Sequence, residues 1–205
     1  MSAVSQSDPE RLLLLARDGD LAALGRLLER YRGYLGLLAR VQIGRRLQGK
    51  VDAADLVQET FLKAARDFAA FRGHTGDELA GWLREILACS VANLVRRYLG
   101  TRRRDQRLER ELVDELDRSS RALDGGLLAR GSSPSQQAAR REQAVLLADA
   151  LDRLPDDYRE VLILRHLEDL SFPDVARRMH RSLDSVKNLW TRALAHLRRA
   201  MGESP

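Results

Sequence analysis

The 205-residue chain has a single cysteine, Cys89. No disulfide can form within it, as in proteins of reducing compartments. Aromatic residues make up only 5 % of the chain, and Val, Ile and Thr are sparse, so strand-forming residue types are largely missing. No apolar run approaches the ~20 residues a membrane-spanning helix needs. Residues 1–10 are polar and lack the basic start and apolar stretch of a secretory leader. His74, His166, His180 and His196 lie far apart, so no His/Cys set stands at metal-ligand spacing. Gly73-His74-Thr75-Gly76 is not followed by the Lys-Ser/Thr of a phosphate-binding loop. Asp156-Asp157 falls at a helix start, where the helix dipole accounts for paired acids. Cys89 sits in a helical pattern and reads as a small buried hydrophobe, not a nucleophile. These absences predict a soluble cytoplasmic protein that is not an enzyme and has no cofactor, no metal and no membrane partner.

What is abundant is Leu, Ala and Arg, all strong helix formers. With 44 % hydrophobic and 32 % charged residues, the chain can build packed cores under a charged surface. The expected fold class is all-α. The net charge of +5 points weakly toward a polyanionic partner.

Composition divides the chain into three zones. Residues 1–100 are leucine-rich with helical spacing. Residues 101–140 are polar, dense in both charge signs, and contain Gly125-Gly126 and Gly131-Ser132-Ser133-Pro134-Ser135. They read as a flexible linker, although Leu108, Leu112 and Leu116 have the spacing of a transient helix. Residues 141–205 return to helical periodicity. Two small helical domains on a linker are expected.

In the first zone, helices are expected over residues 9–16 and 21–41. Asp52-Ala53-Ala54-Asp55 reads as a capping box opening a third helix to residue 71. Val57, Phe61, Ala64, Phe68 and Phe71 make one apolar face of it. Residues 72–81 hold three glycines and are not expected to be helical throughout. A fourth helix then carries Trp82, Leu83, Ile86, Ser90, Asn93 and Arg97, followed by the basic Arg102-Arg103-Arg104.

The third zone has a sharper pattern. Ser171-Phe172-Pro173-Asp174 is a helix start, with Ser171 as cap and Pro173 in the first turn. The chain turns at His180-Arg181, and Ser182 caps a longer helix. Val186, Leu189, Trp190, Ala193, Leu194, Leu197 and Met201 form its apolar side. Ser185, Lys187, Asn188, Thr191 and Arg192 form the opposite side. A short helix, a tight turn and a longer basic helix make a helix-turn-helix. Residues 177–199 hold seven Arg or Lys and one acid, whereas residues 142–174 hold nine acids and three arginines. The basic charge is concentrated where duplex DNA would lie. Lys187, Asn188 and Arg192 have the donors to read base edges or phosphates. By itself this pattern leaves open a regulator that binds duplex DNA alone, or a module that binds only other proteins.

A second string narrows the choice. Leu154-Pro155-Asp156-Asp157-Tyr158-Arg159-Glu160-Val161-Leu162, with residues 170–176 and Ser185-Val186-Lys187-Asn188, resembles region 4 of bacterial sigma factors. Asp52-Ala53-Ala54-Asp55-Leu56-Val57-Gln58-Glu59-Thr60-Phe61-Leu62-Lys63-Ala64 resembles region 2, and Phe71-Arg72-Gly73, Trp82-Leu83 and Ile86 continue the match. The small size resembles the extracytoplasmic-function (ECF) subgroup of the sigma-70 family. The resemblance implies a dissociable subunit of RNA polymerase that directs promoter-specific initiation and assists melting. Its implied partners are core polymerase (the β′ coiled coil and the β flap), promoter DNA and an anti-sigma protein. Polymerase docking falls to Asp55, Gln58, Glu59 and Lys63. Capture of the melted −10 strand falls to Arg72, His74, Arg84, Asn93, Arg96 and Arg97, with Trp82 expected in the core. Reading of the −35 element falls to Arg181, Ser185, Lys187, Asn188, Thr191 and Arg192. The chain departs from the common pattern at Cys89, Asn93 and Leu189, where members often carry Asn, Asp and a basic residue.

Overall fold

A computed structural model describes residues 9–46, 52–99, 106–124 and 137–202. The described residues form helices and turns, with no strand among them. The chain divides into two compact units, residues 1–117 and 118–205.

In the first unit, α1 (Pro9–Arg17) buries Leu12, Leu13 and Ala16. The chain turns at Gly19, whose φ of 95° suits a residue without a Cβ. Asp20 then accepts from the Ala23 N–H at 2.9 Å and caps α2 (Leu21–Arg30), which packs on α1. The single helix expected over residues 21–41 is in fact two, because the ladder breaks at Tyr31 before α3 (Arg32–Arg46). The Tyr31 ring is buried, its hydroxyl donates to the Gly76 carbonyl at 3.1 Å, and its edge meets Tyr34 at 6.4 Å. The break lets α2 serve α1 while α3 packs against α4 (Ala53–Asp67) and α5 (Gly76–Leu99).

Asp52 caps α4 by accepting from the Ala54 N–H at 2.9 Å. Val57, Phe61 and Ala64 are buried along its inner face, and a 3-10 turn (Phe68–Ala70) brings Phe68 and Phe71 into the same core. Helix α5 starts earlier than the glycines suggest. The Glu78 carboxylate accepts from the His74 and Thr75 N–H groups at 2.6 and 3.0 Å, and Thr75 Oγ1 accepts from the Glu78 N–H at 3.2 Å. This reciprocal box satisfies the first free donors and offsets the cost of Gly76 and Gly81 inside the helix.

The expected linker contains a further helix, α6 (Gln106–Asp124), with Leu112 and Leu116 fully buried. The boundary between the compact units lies within it, not at either end of residues 101–140. Arg102, Arg103, Arg104 and the glycine-bearing stretches at 125–126 and 131–135 lie outside the described residues.

The second unit is built on α10 (Leu183–Ala200), which packs against α7 (Gln137–Asp152), α8 (Asp156–Leu162) and α9 (Phe172–Arg178). Helix α8 widens into a π turn (Ile163–Leu167), and the chain leaves it through Asp169 at a φ of 54°. Val161, Leu162, Val175, Ala176, Val186, Ala193 and Leu197 form the core.

Candidate nucleic-acid interface

The two caps of the helix-turn-helix are formed as expected. Ser171 accepts from the Asp174 N–H and donates to its carboxylate, and Ser182 accepts from the Ser185 N–H at 3.2 Å. His180 makes the turn at a φ of 52°. Of the residues expected at duplex DNA, Lys187, Asn188, Thr191 and Arg192 are exposed on one face of α10, in its N-terminal half. Ser185 is half-buried behind its cap, and Arg181 donates to Asp157 of α8 at 2.6 Å. Opposite them Val186, Ala193 and Leu197 are buried, and Leu189 is half-buried.

The orientation of α10 is fixed from behind by Trp190. Its indole N–H donates to His166 Nε2 at 3.0 Å, and Phe172 meets the indole edge-on at 5.4 Å. The Arg165 guanidinium lies over the Phe172 ring at 5.3 Å. Burial and the adjacent Arg165 charge push the His166 pKa below its ordinary value, and Asp169 opposes them only in part. None of this network was visible as a functional signal in the sequence, since each member reads as an ordinary helix residue.

The six residues expected on the −10 strand are not brought together. Arg72 and His74 are exposed before the start of α5, where Arg17 Nη1 donates to His74 Nδ1 at 2.9 Å. Asn93, Arg96 and Arg97 stand at its other end. Arg84, between the groups, is not on the surface at all. It is 9 % exposed, with Nη1 donating to the Tyr34 hydroxyl at 2.9 Å and Nε to Asp117 of α6 at 2.7 Å. Its place as a strand contact is withdrawn on that burial. Arg96 donates to the Asn93 side chain and to Glu109 of α6 at 3.2 Å, leaving Asn93 and Arg97 exposed. Trp82 is half-buried and packs on Phe71 and Phe68, with centroids at 5.0 and 6.3 Å. Cys89 is exposed, contrary to expectation, because it shares an outward stripe with Glu85 and Asn93, spaced four residues apart.

The expected docking residues on α4 also divide. Asp55 and Gln58 are exposed. Lys63 reaches back to α5, donating to Glu59 at 2.6 Å and to the buried Ser90 hydroxyl at 3.0 Å. Asp52, Asp55 and Glu59 form the acidic wall of an open groove of about 290 Å³. Leu56 and Leu94 lie in it, and Arg97 and Tyr98 line its α5 side. One groove therefore joins positions expected at polymerase to one expected at DNA.

Two family models match the chain. Residues 29–105 match sigma-70 region 2, and residues 144–197 match sigma-70, region 4. The chain belongs to the sigma-70 family of RNA polymerase sigma factors. It is 29 % identical to the ECF RNA polymerase sigma-E factor of Haemophilus influenzae, over 92 % of each chain. It is 29 % identical to the ECF RNA polymerase sigma factor BldN of Streptomyces coelicolor, over 96 % of this chain and 68 % of that one. The RNA polymerase sigma-H factor of Pseudomonas aeruginosa is 28 % identical over 97 % of this chain and 96 % of its own. The sigma factor therefore acts in promoter-specific initiation by RNA polymerase and is itself non-enzymatic. Among the described residues no helix is long and apolar enough to cross a membrane, and no group of His, Cys, Asp or Glu could hold a metal.

Proposed function

We propose that the sigma factor grips a promoter with two separate surfaces while a third holds the polymerase. The exposed face of α10, with Lys187, Asn188, Thr191 and Arg192, reads the −35 element as duplex in the major groove. Arg181 and Ser185 flank that face, and Arg181 exchanges Asp157 for a phosphate. The end of α5 carrying Asn93, Arg96 and Arg97 receives the melted −10 strand, while Arg72 and His74 mark a second contact at its start. Asp55, Gln58 and Glu59 on α4 face the β′ coiled coil, with Lys63 positioning Glu59. The region 4 unit meets the β flap. The functional domains are centred on residues 1–100 and 141–205, each compact unit taking in part of α6 as well, and the site of action is the cytoplasm, where polymerase works.

The observation that carries this reading is the capped α10. Four polar or cationic side chains stand on consecutive turns of its exposed face, and the opposite face is buried. The test is run-off transcription with purified core polymerase on promoters taken from sites the factor occupies. Wild type gives a discrete transcript. Lys187→Ala/Arg192→Ala keeps holoenzyme assembly and loses the transcript from −35-dependent templates, and Asp55→Arg loses assembly itself. A transcript unchanged by the α10 substitutions overturns the assignment.

A further inference from the structure

Helix α6 lies between the two matched regions and belongs to neither. Even so, two charge pairs fasten it to α5. Asp117 accepts from Arg84 Nε at 2.7 Å, and Glu109 accepts from Arg96 Nη1 at 3.2 Å. The later acid meets the earlier arginine, so α6 runs antiparallel to α5. Between the acids, Leu112 and Leu116 are fully buried. The arginine side chains keep only 11 % and 14 % exposure, whereas the neighbouring Arg97 is open. Helix α6 thus covers Arg96 at the strand-binding end of α5, is fastened to Arg84 nearer the middle, and leaves Arg97 uncovered.

A carboxylate and a phosphate satisfy a guanidinium in the same way, through charge-assisted N–H···O bonds. A strand phosphate and Glu109 therefore compete for the Arg96 donors, while Asp117 on Arg84 fastens the helix in place. Release of α6 uncovers Leu112 and Leu116 as well as the two pairs, so strand binding must offset that lost burial as well as replace the carboxylates. Arg84 Nη1 also donates to the Tyr34 hydroxyl, a bond within the region 2 core that does not involve α6.

We propose that α6 is an acidic strap that masks the strand-binding end of α5 in the free sigma factor, and that a DNA strand binds there by displacing it. The proposal rests on the reading of Arg96 and Arg97 as strand contacts. It predicts that the free factor is a poor single-strand binder until α6 is neutralised or moved.

The test measures binding of a fluorescein-labelled dT20 strand to the full-length chain by anisotropy. Glu109→Gln is expected to tighten binding about threefold, and Glu109→Gln/Asp117→Asn about tenfold. The control pair Glu10→Gln/Asp18→Asn, on α1 and in the turn after it, makes the same charge change and is expected to move affinity less than about twofold. Amides of α6 in wild type are expected to lose hydrogen-exchange protection when the strand binds, a readout that stands if the double variant fails to fold. Equal effects of the two pairs, or α6 amides fully protected with the strand bound, overturn the proposal. Arg97→Ala separates the two layers of argument. If it weakens strand binding while the α6 variants change nothing, the strand site stands and the strap falls. If Arg97→Ala has no effect in wild type or in the α6 double variant, the strand site and the strap fall together.

Discussion

Trp190 donates its indole N–H to His166 Nε2 at 3.0 Å, with the two ring planes 21° apart. That bond requires a lone pair on Nε2, so the imidazole is neutral with its proton on Nδ1. Burial and Arg165 hold its folded pKa below the ordinary 6.5. A lowered histidine pKa means the unfolded chain takes up the proton first as pH falls. The stabilising contribution is present in full above the ordinary value and declines as pH falls through the folded pKa. Melting followed by Trp190 fluorescence, in a Trp82→Phe background, should show a transition temperature that drops across that window. His166→Gln keeps an acceptor without titrating there and should flatten the profile. An unchanged slope would remove His166 as its source.

Gly73 has no room for a side chain. A Cβ there would stand 2.4 Å from Phe71 Cζ and 2.7 Å from Glu78 Cβ. Gly73→Ala must therefore push the Phe71 ring off Trp82 or open the cap of α5. Overpacking of this kind costs about 1–3 kcal/mol. Urea denaturation should show that loss, together with an altered Trp82 emission in the native state.

The Thr75–Glu78 box sets where α5 begins. Thr75→Ala removes the acceptor for the Glu78 N–H and should cost about 1 kcal/mol. The backbone N–H groups of His74 and Thr75, followed by the Thr75 hydroxyl, hold the Glu78 carboxyl below its ordinary pKa. Its support for the helix start is present above the unfolded value and fades as pH falls through the folded one. The protection factors of the first α5 amides, corrected for the pH dependence of intrinsic exchange, should fall on acidification in wild type, and should already be low at neutral pH in Glu78→Ala.

On α10, phosphate and base contacts separate by their salt dependence. If Arg192 binds a phosphate, Arg192→Ala lowers the slope of log affinity against log salt by about 1 and weakens all promoters alike. If Lys187 reads a base, Lys187→Ala leaves the slope nearly unchanged and relaxes preference at one position. Holoenzyme binding titrations at several salt concentrations distinguish the two.

The parts legible in the sequence are those decided within one helical turn. Caps at Asp52, Ser171 and Ser182 need only a side chain and an amide two or three residues on, and all three are formed. The inward face of α4 and the helix pair α9–α10 follow from periodicity alone. The Tyr31 break was hidden because apolar spacing continues across it while the helices on either side serve different neighbours. Arg84 looked like its exposed neighbours because its partners stand far away in the chain, at Tyr34 and Asp117. The start of α5 is encoded by Thr75 and Glu78, but Gly73, Gly76 and Gly81 obscure the box in the sequence. Helix α6 was half visible in its leucine spacing, but its charged composition resembled linker, and only the arginines of α5 turn those acids into contacts.

Helix α5 also acts as a spacer. Its 24 residues span about 36 Å, so Arg72 and His74 are separated from Arg96 and Arg97 by nearly the length of the helix. A stacked strand at the B-form rise would need about ten nucleotides to cover that interval, and a melted, extended strand fewer. On the proposed reading, a promoter strand that touches both ends is sampled at two distant places, and a change in DNA length between them would be felt as a mismatch of registry. Sequence preference at one station can then vary while the interval between stations stays set by the protein backbone.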